Sequence, residues 1–364
     1  MTNHGSQGFR KVAHPSPMPD PERIELIRNP GFGRAFSDHM VTITWTADRG
    51  WHEMTIGPRG PLSLSPAAAV LHYAQEIFEG LKAYRTSSGE ITLFRPDMNA
   101  RRFALSAERL AMPALPDNLF IESVEALTSI DRAWIPDGEG SLYLRPFMIA
   151  TEPFLGVRPA AEYLYVVIAS AVGPYFSGGK STITVWVSED YTRAAKGGTG
   201  AAKCGGNYAA SLTAQAVASA EGCDQVLFLD SAEHRWIEEL GGMNIFLVFE
   251  DGSLQTPPIG GTILPGITRD SLIRLAREEG RVVREEPYAF DQLKADVASG
   301  RLREAFACGT AAVISPIGKL KTTDGPIVIG DGNAGEVSLA LKRKLVGIQR
   351  GDVPDSFGWL HKIA

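Results

Sequence analysis

Lys196-Gly-Gly-Thr-Gly-Ala-Ala-Lys-Cys-Gly-Gly-Asn-Tyr208 carries five glycines and two lysines, directly ahead of a run of small apolar residues, Tyr208 to Ala220, that reads as a helix. Clustered glycines let a backbone take positive φ or approach a neighbour closely. A phosphate loop is the first pattern to test, but Gly200 to Gly205 continues with Gly206 and Asn207 where such a loop needs Lys and Ser or Thr. The dinucleotide fingerprint also fails, for want of its third glycine. What is left is Lys203 in a tight, sterically open turn. A lysine amine pressed against closely packed backbone can attack an aldehyde to form a Schiff base, which makes Lys203 a candidate cofactor anchor. An exposed loop lysine between flexible glycines fits the same stretch.

Outward from this segment, composition narrows the field. The chain has 364 residues, 44% apolar and 21% charged, a folded composition with length for two domains or one large one. Acidic residues outnumber basic ones by 42 to 36, a net charge of -6, which argues against a nucleic-acid partner. The longest purely apolar stretches, such as Tyr163 to Ala169, fall well short of the roughly 18 residues that span a bilayer, so no membrane association is expected. Residues Met1 to Asp20 have no apolar core segment of a secretory signal, and the expected location is the cytoplasm. Cys204, Cys223 and Cys308 are too few and too scattered for a disulfide framework or a structural zinc, so no metal site is expected.

The organisation reads as an N-terminal arm (1–35) whose end near Phe32 meets the body, a small domain (36–173), a linker (174–181) and a large domain (182–364). In the small domain, strand-like runs at Met40 to Trp45, Ile91 to Phe94, Ser141 to Leu144 and Tyr163 to Ala169 alternate with helical ones at Pro66 to Phe78 and Ile121 to Trp134. After the Gly- and Ser-rich segment Gly173 to Ser181, the pattern restarts with strands at Ile183 to Val187, Val226 to Asp230 and Ile245 to Glu250. Asp251-Gly252 is a hairpin signal, and Tyr208 to Ala220 and Thr268 to Glu279 read as helices.

A pyridoxal phosphate enzyme needs an acid facing the pyridine nitrogen and ligands for the phosphate besides its lysine. Glu238 or Glu239, just before a buried-looking strand, could be the acid. Leu264-Pro-Gly-Ile-Thr268 opens a helix whose free N–H groups favour an anion. A solvated glutamate pair and an ordinary Pro-Gly turn explain the same residues.

The motifs together resemble one family over the whole chain from about Gly31 onward. They are Gly31-Phe-Gly33, Ser37-Asp-His-Met40, Phe78-Glu-Gly-Leu-Lys-Ala-Tyr84, Leu93-Phe-Arg-Pro-Asp-Met-Asn99, Ser141-Leu-Tyr-Leu-Arg-Pro146, Thr151-Glu-Pro153, Gly198 to Tyr208, Glu239-Leu-Gly-Gly-Met-Asn244, Leu264-Pro-Gly-Ile-Thr-Arg269 and Gly309-Thr-Ala311. In this order the chain resembles the branched-chain amino acid aminotransferases, class IV pyridoxal-phosphate-dependent enzymes of fold type IV. The resemblance implies an α/β protein of α+β type: a smaller N-terminal α/β domain and a larger, β-rich C-terminal domain with helices. It makes Lys203 the Schiff-base lysine, Glu239 the partner of the pyridine nitrogen and Tyr208 the partner of the ring hydroxyl. Arg102 becomes the phosphate arginine, with Arg101 its alternative, supported by Leu264, Ile267, Thr268 and Thr310. Phe32, Tyr73, Phe78 and Tyr143 would line the substrate pocket with Gly242, Arg145 would stand at its polar edge, and Thr310 and Ala311 would hold the substrate carboxylate.

The implied reaction moves the amino group of L-leucine, L-isoleucine or L-valine to 2-oxoglutarate in two half-reactions on pyridoxal 5'-phosphate. The implied assembly is a homodimer with a shared active site, in which Leu155 and Val157 reach the neighbouring subunit. Where some members carry Cys-x-x-Cys after the Gly-Thr-Ala turn, this chain reads Ala312-Val-Ile-Ser315, so no thiol switch is expected there. D-amino acid aminotransferases and aminodeoxychorismate lyases share the lysine and the glutamate. A non-catalytic phosphate-metabolite binding protein would use the helix N-terminus without Lys203.

Overall fold

The computed structural model describes residues 8–173 and 181–363. The expected linker, 174–181, therefore lies almost wholly outside the described residues. Two compact units divide the chain: Met1–Tyr175 together with Gln349–Ala364, and Phe176–Ile348. The expected large domain, 182–364, differs at its end, because the strand Leu360–Ile363 pairs antiparallel with Ile91–Phe94 in the first unit. Trp359 supports that return: its carbonyl accepts the Arg95 amide at 2.8 Å and its ring meets Phe94 edge-on at 5.6 Å.

In the first unit, ten described strands form one mixed sheet, with the long strands His39–Thr46, Glu162–Val172 and Ser141–Ala150 side by side. Burial along Ser141–Ala150 alternates from Leu142 to Phe147, as a period of two requires. Leu142, Leu144 and Met148 are buried, while Tyr143, Arg145 and Phe147 share the less buried face. The helices Pro96–Arg109 and Asp117–Ile130 supply a further part of the core. Phe103 and Phe120 meet at 5.5 Å, and both contact the ring of Tyr165 from Glu162–Val172. The expected arm holds more structure than an arm implies: Arg10–Lys11 pairs with Thr55 and Ile56, and Asp20–Arg28 is a helix with no buried residue.

The expected helix Pro66 to Phe78 shrinks to one turn, Val70–Tyr73, ended by Ala74 at φ 49°, and is followed by the strand Glu76–Phe78. The alanine-rich run favours a helix locally, but its backbone is claimed by tertiary partners. Ala69 donates to Glu152, Phe154 donates to Ala67, and Glu76–Phe78 pairs with Phe147 to Ile149.

In the second unit, nine described strands form a sheet that runs Ile237–Leu240, Gln225–Leu229, Ile183–Ser188, Val313–Thr322, Leu302–Gly309, Asn244–Phe249 and onward. The Asp251-Gly252 turn joins Asn244–Phe249 to Leu254–Thr256 as expected. The helix Gly205–Ala220 begins three residues earlier than its sequence reading, and its small residues Ala214 and Ala218 pack with Val226 and Phe228. The helix Ile267–Glu278 stands one residue from its expected bounds.

Candidate active site

The glycine-rich segment of the second unit is held together by its own side chains. Asn207 Nδ2 donates to the carbonyls of Thr199 at 2.8 Å and Ala202 at 2.9 Å, and the Thr199 hydroxyl donates back to Asn207 Oδ1 at 2.7 Å. Gly200 is needed sterically: a Cβ there would collide with the Thr262 carbonyl oxygen. From this frame the half-buried Lys203 directs Nζ to the Tyr208 hydroxyl, 2.8 Å away. Tyr208, one turn into the helix, stands beside Gly242, where a Cβ would lie 3.6 Å from its ring. Gly309, at the head of the Thr310-Ala311 turn, faces the Gly242 carbonyl in the same way, at 3.7 Å. Lys203, Tyr208, Gly242 and the Thr310-Ala311 turn are thus one neighbourhood. Val313 closes that turn at φ 60°, a strained conformation for a β-branched residue.

Glu238 and Glu239 are both buried, and strand geometry turns them to opposite faces. Glu239, 3% exposed, accepts the Leu264 amide at 2.8 Å and Asn244 Nδ2 at 3.1 Å, and pairs with Arg193 Nη2 at 2.7 Å. Burial pushes its carboxyl up to about 7, against the pull of Arg193, the Leu264 amide and Lys203. Glu238 is raised by burial as well, and its Oε2 has no hydrogen-bond partner among the described residues. Asn244 Nδ2 also donates to the Leu264 carbonyl at 3.1 Å, which fixes the segment entering the helix that begins at Ile267. Gly266 is required there, since a Cβ would overlap Asn244 Oδ1. Ile267 and Thr268 are buried in the first turn of that helix, where backbone N–H groups have no intrahelical acceptor.

The first unit gathers a second group. Glu79 is fully buried and accepts from Arg102 Nε at 2.7 Å and Nη2 at 2.9 Å, from Asn99 Nδ2 at 2.6 Å and from the Gly80 amide at 3.0 Å. Arg102 is therefore buried and oriented by Glu79, whereas Arg101 is exposed. Gly80 leaves room for the Tyr143 phenol, whose oxygen occupies the place a Cβ would take. Arg145 Nη2 donates to that phenol at 2.9 Å, and its guanidinium lies 4.7 Å from the centre of the Phe78 ring. Phe32 meets Tyr143 edge-on at 5.3 Å, so Phe32, Phe78, Tyr143 and Arg145 form one cluster.

Tyr73 lies apart from these rings in the described contacts: its hydroxyl donates to the Leu155 carbonyl. That carbonyl belongs to a loop clamped at its base, where Arg158 donates twice to Glu152, at 2.6 and 3.0 Å, and covers the Phe154 ring at 3.9 Å. The clamp leaves Leu155 62% and Val157 89% exposed.

Sequence reasoning missed Glu79, Asn244 and Arg193. Glu79 stands inside a quoted motif, so its neighbours Gly80 and Arg102 were the available signal. Arg193 is isolated in a loop and gave none.

A phosphorylated pyridine aldehyde needs an amine, a buried acid for the ring nitrogen, a phenol or similar donor for the ring oxygen, and amides for the phosphate. Lys203, Glu239, Tyr208 and the start of Ile267–Glu278 offer groups of those kinds, within one unit. Among the described residues no cluster suited to a metal ion occurs, and no helix is long and apolar enough to cross a membrane.

Comparison with known proteins agrees with this chemistry. The amino-transferase class IV family matches residues 76–320. The chain is 52% identical over 366 residues to the branched-chain-amino-acid aminotransferase of Mycolicibacterium smegmatis, covering 99% of this chain and 100% of that protein. The crystal structure of the Escherichia coli branched-chain amino acid aminotransferase superposes with a TM-score of 0.72 at 30% identity, over 88% of this chain and 99% of that one. A T.th. branched-chain amino acid aminotransferase complexed with N-(5'-phosphopyridoxyl)-L-glutamate gives 0.71 at 28% identity, over 88% and 98%. The chain belongs to the class IV amino-transferases of fold type IV, within their branched-chain amino acid aminotransferase family.

Proposed function

We propose that this protein transfers the amino group of L-leucine, L-isoleucine or L-valine to 2-oxoglutarate, releasing a branched 2-oxo acid and L-glutamate, with pyridoxal 5'-phosphate as cofactor. The observation that carries the reading is Lys203 Nζ bonded to the Tyr208 hydroxyl in the same unit as a buried, multiply bonded Glu239. The compound complexed in the T.th. relative is a phosphopyridoxyl amino acid, which supports the same choice here.

When bound, the cofactor supplies an electron sink that acidifies the substrate α-carbon. The residues do the rest. Lys203 Nζ holds the cofactor between turnovers, takes the α-proton as general base and returns a proton as general acid. Tyr208 orients that amine and, through its hydroxyl, the ring oxygen. Glu239 holds the ring nitrogen's proton in place, and Asn244 and Leu264 hold Glu239. The amides of Ile267 and Thr268, the Thr310 hydroxyl and the oriented Arg102 bind the phosphate, while Thr310, Ala311 and Gly242 receive the substrate carboxylate.

Phe32, Phe78 and Tyr143 offer an apolar surface to a branched side chain, with Tyr73 at its margin. Arg145, at the edge of that cluster, supplies the cation that the second carboxylate of glutamate needs. The active unit is proposed as a cytoplasmic homodimer in which Leu155 and Val157 cover the neighbouring subunit's substrate.

Borohydride reduction of the purified protein, followed by peptide mapping, tests the reading. It should bleach a visible absorption band and label Lys203. Absence of a band would sink the cofactor assignment, and activity confined to D-amino acids or to aminodeoxychorismate would replace the substrate.

A further inference from the structure

Gly200 sits in a segment that a phosphate-loop reading cannot explain, yet its lack of a side chain has a consequence for the acid. Because no Cβ stands between them, the Gly200 backbone closes on the carbonyl oxygen of Thr262, which an added Cβ would strike. Two carbonyl oxygens, from Gly200 and Thr262, then converge on one nitrogen, Arg193 Nη2, the first at 3.0 Å. The same nitrogen lies 2.7 Å from Glu239 Oε1.

We propose that Arg193 is the positioning residue of the ring-nitrogen acid: seated on the paired carbonyls of Gly200 and Thr262, it keeps Glu239 an oriented anion ready to receive the pyridinium N–H. The proposal deepens the functional reading above and rests on its assignment of Glu239.

A carboxylate has about four lone-pair positions. The Leu264 amide occupies one on Oε1, beside which Arg193 Nη2 sets its charge at 2.7 Å, and Asn244 occupies one on Oε2, which leaves Oε2 with a position for a further donor. An ionised carboxyl accepts there. A protonated one offers an O–H instead and meets the pyridinium N–H as a fellow donor. Ionisation of Glu239 is opposed by burial and by Glu238, and favoured by Arg193 and Lys203; the buried Cys308 thiol also feels its charge. Burial pushes the carboxyl up to about 7 even with Arg193 present. Losing the guanidinium, the largest of the opposing influences, tips Glu239 to the neutral form at working pH. Arg193 is itself 6% exposed, so its charge is little screened by water, and the carbonyl pair fixes the direction from which it acts. Lys203 cannot replace it, because its amine is engaged with Tyr208 and is required elsewhere.

The test measures pyridoxal 5'-phosphate affinity by fluorescence titration of the full chain between pH 5.5 and 9.5, for the parent and for Arg193→Met, Arg193→Gln, Arg193→Lys and Glu239→Gln. The parent should show a rise in affinity with pH near neutrality as Glu239 ionises. In Arg193→Met that rise should move up by at least about one pH unit, with affinity at pH 7 lower by about tenfold and recovering at alkaline pH. Arg193→Gln, which keeps a donor for the carbonyls, reads the same shift should the Met variant not fold. Arg193→Lys should return the rise toward the parent position, and Glu239→Gln should remove it. Loss that is uniform at every pH, or an unmoved rise in both neutral variants, would overturn the proposal. A parent chain that binds no pyridoxal phosphate would instead overturn the functional reading itself.

Discussion

Lys203 Nζ and the Tyr208 hydroxyl are 2.8 Å apart across the first turn of the helix Gly205–Ala220, so the turn of the chain that ends the glycine segment also presets the amine's direction. Lys203→Ala should abolish amino transfer and leave only weak, reversible cofactor binding, while Lys196→Ala, outside this contact, should keep near-parental turnover. Mass mapping of the borohydride-reduced peptide checks it, and label on Lys196 would reverse the assignment.

Glu239→Gln keeps the shape of the acid and removes its charge. A hydrogen bond to a charged group contributes roughly 1.5 to 3 kcal/mol, so α-proton removal should slow by about 10- to 150-fold with a smaller change in substrate binding. Glu238→Gln should be far milder, because Glu238 points to the other face of its strand. Pre-steady-state rates with deuterated leucine separate the two, and the opposite ranking would show that Glu238 is the acid.

Arg145→Met removes the cation from the Tyr143 and Phe78 cluster. The glutamate half-reaction should lose about 10- to 150-fold in kcat/KM, and the leucine half-reaction should change little. Single-turnover measurements with each substrate decide it. An equal loss for both would make Arg145 structural and pass the role to Lys82, which is paired across the sheet from Tyr143.

Leu155→Asp places a charge on a loop whose Glu152–Arg158 clamp holds the side chain outward, 62% exposed. If that side chain is covered in a dimer, the variant should dissociate more readily and bind leucine at least several-fold more weakly. Sedimentation beside KM measurements tests both effects, and a fully active parental monomer would refute the dimer.

Asp230 gives a pH prediction. Burial alone would raise its carboxyl, but the backbone amides of Trp236, Glu233, Arg235 and Ala232 outweigh burial and bring it down to about 2. A folded value below the ordinary one of about 3.9 adds stability above that pH, lost as pH falls toward 2. Asp230→Asn should cost about 1 to 3 kcal/mol at pH 7, where half of those amides lose a good acceptor, and the deficit should shrink in acid. Denaturant midpoints at pH 7 and pH 3 measure it, and a deficit independent of pH would contradict the charge argument.

Local patterns made some of these parts legible and left others hidden. Ile91–Phe94 has the bounds its apolar run suggests, and the spacing of Tyr143 and Arg145 puts both on one sheet face because strand periodicity needs no tertiary information. Residues 66–78 misled because strand pairing with Phe147 to Ile149 overrides alanine's helical preference. The helix Pro96–Arg109 passed unread: it follows Arg95 at φ 50°, and charged residues interrupt its apolar stripe. Glu239 could be separated from Glu238 only by resemblance, since the groups that distinguish them, Asn244, Leu264 and Arg193, are brought in by the fold.

The return of Leu360–Ile363 to the first sheet ties the order of synthesis to the order of folding. The ribosome delivers Ile91–Phe94 and one antiparallel neighbour, Leu81–Arg85, early, but the other, Leu360–Ile363, emerges only after the whole second unit has been translated. Until then the nascent first unit carries an open strand edge, with Phe94 lacking the Trp359 ring that later covers it. Until Leu360–Ile363 emerges, a growing chain therefore presents the kind of unpaired edge that favours pairing with another chain. With Leu360–Ile363 in place the edge of Ile91–Phe94 is paired and Phe94 is covered by the Trp359 ring.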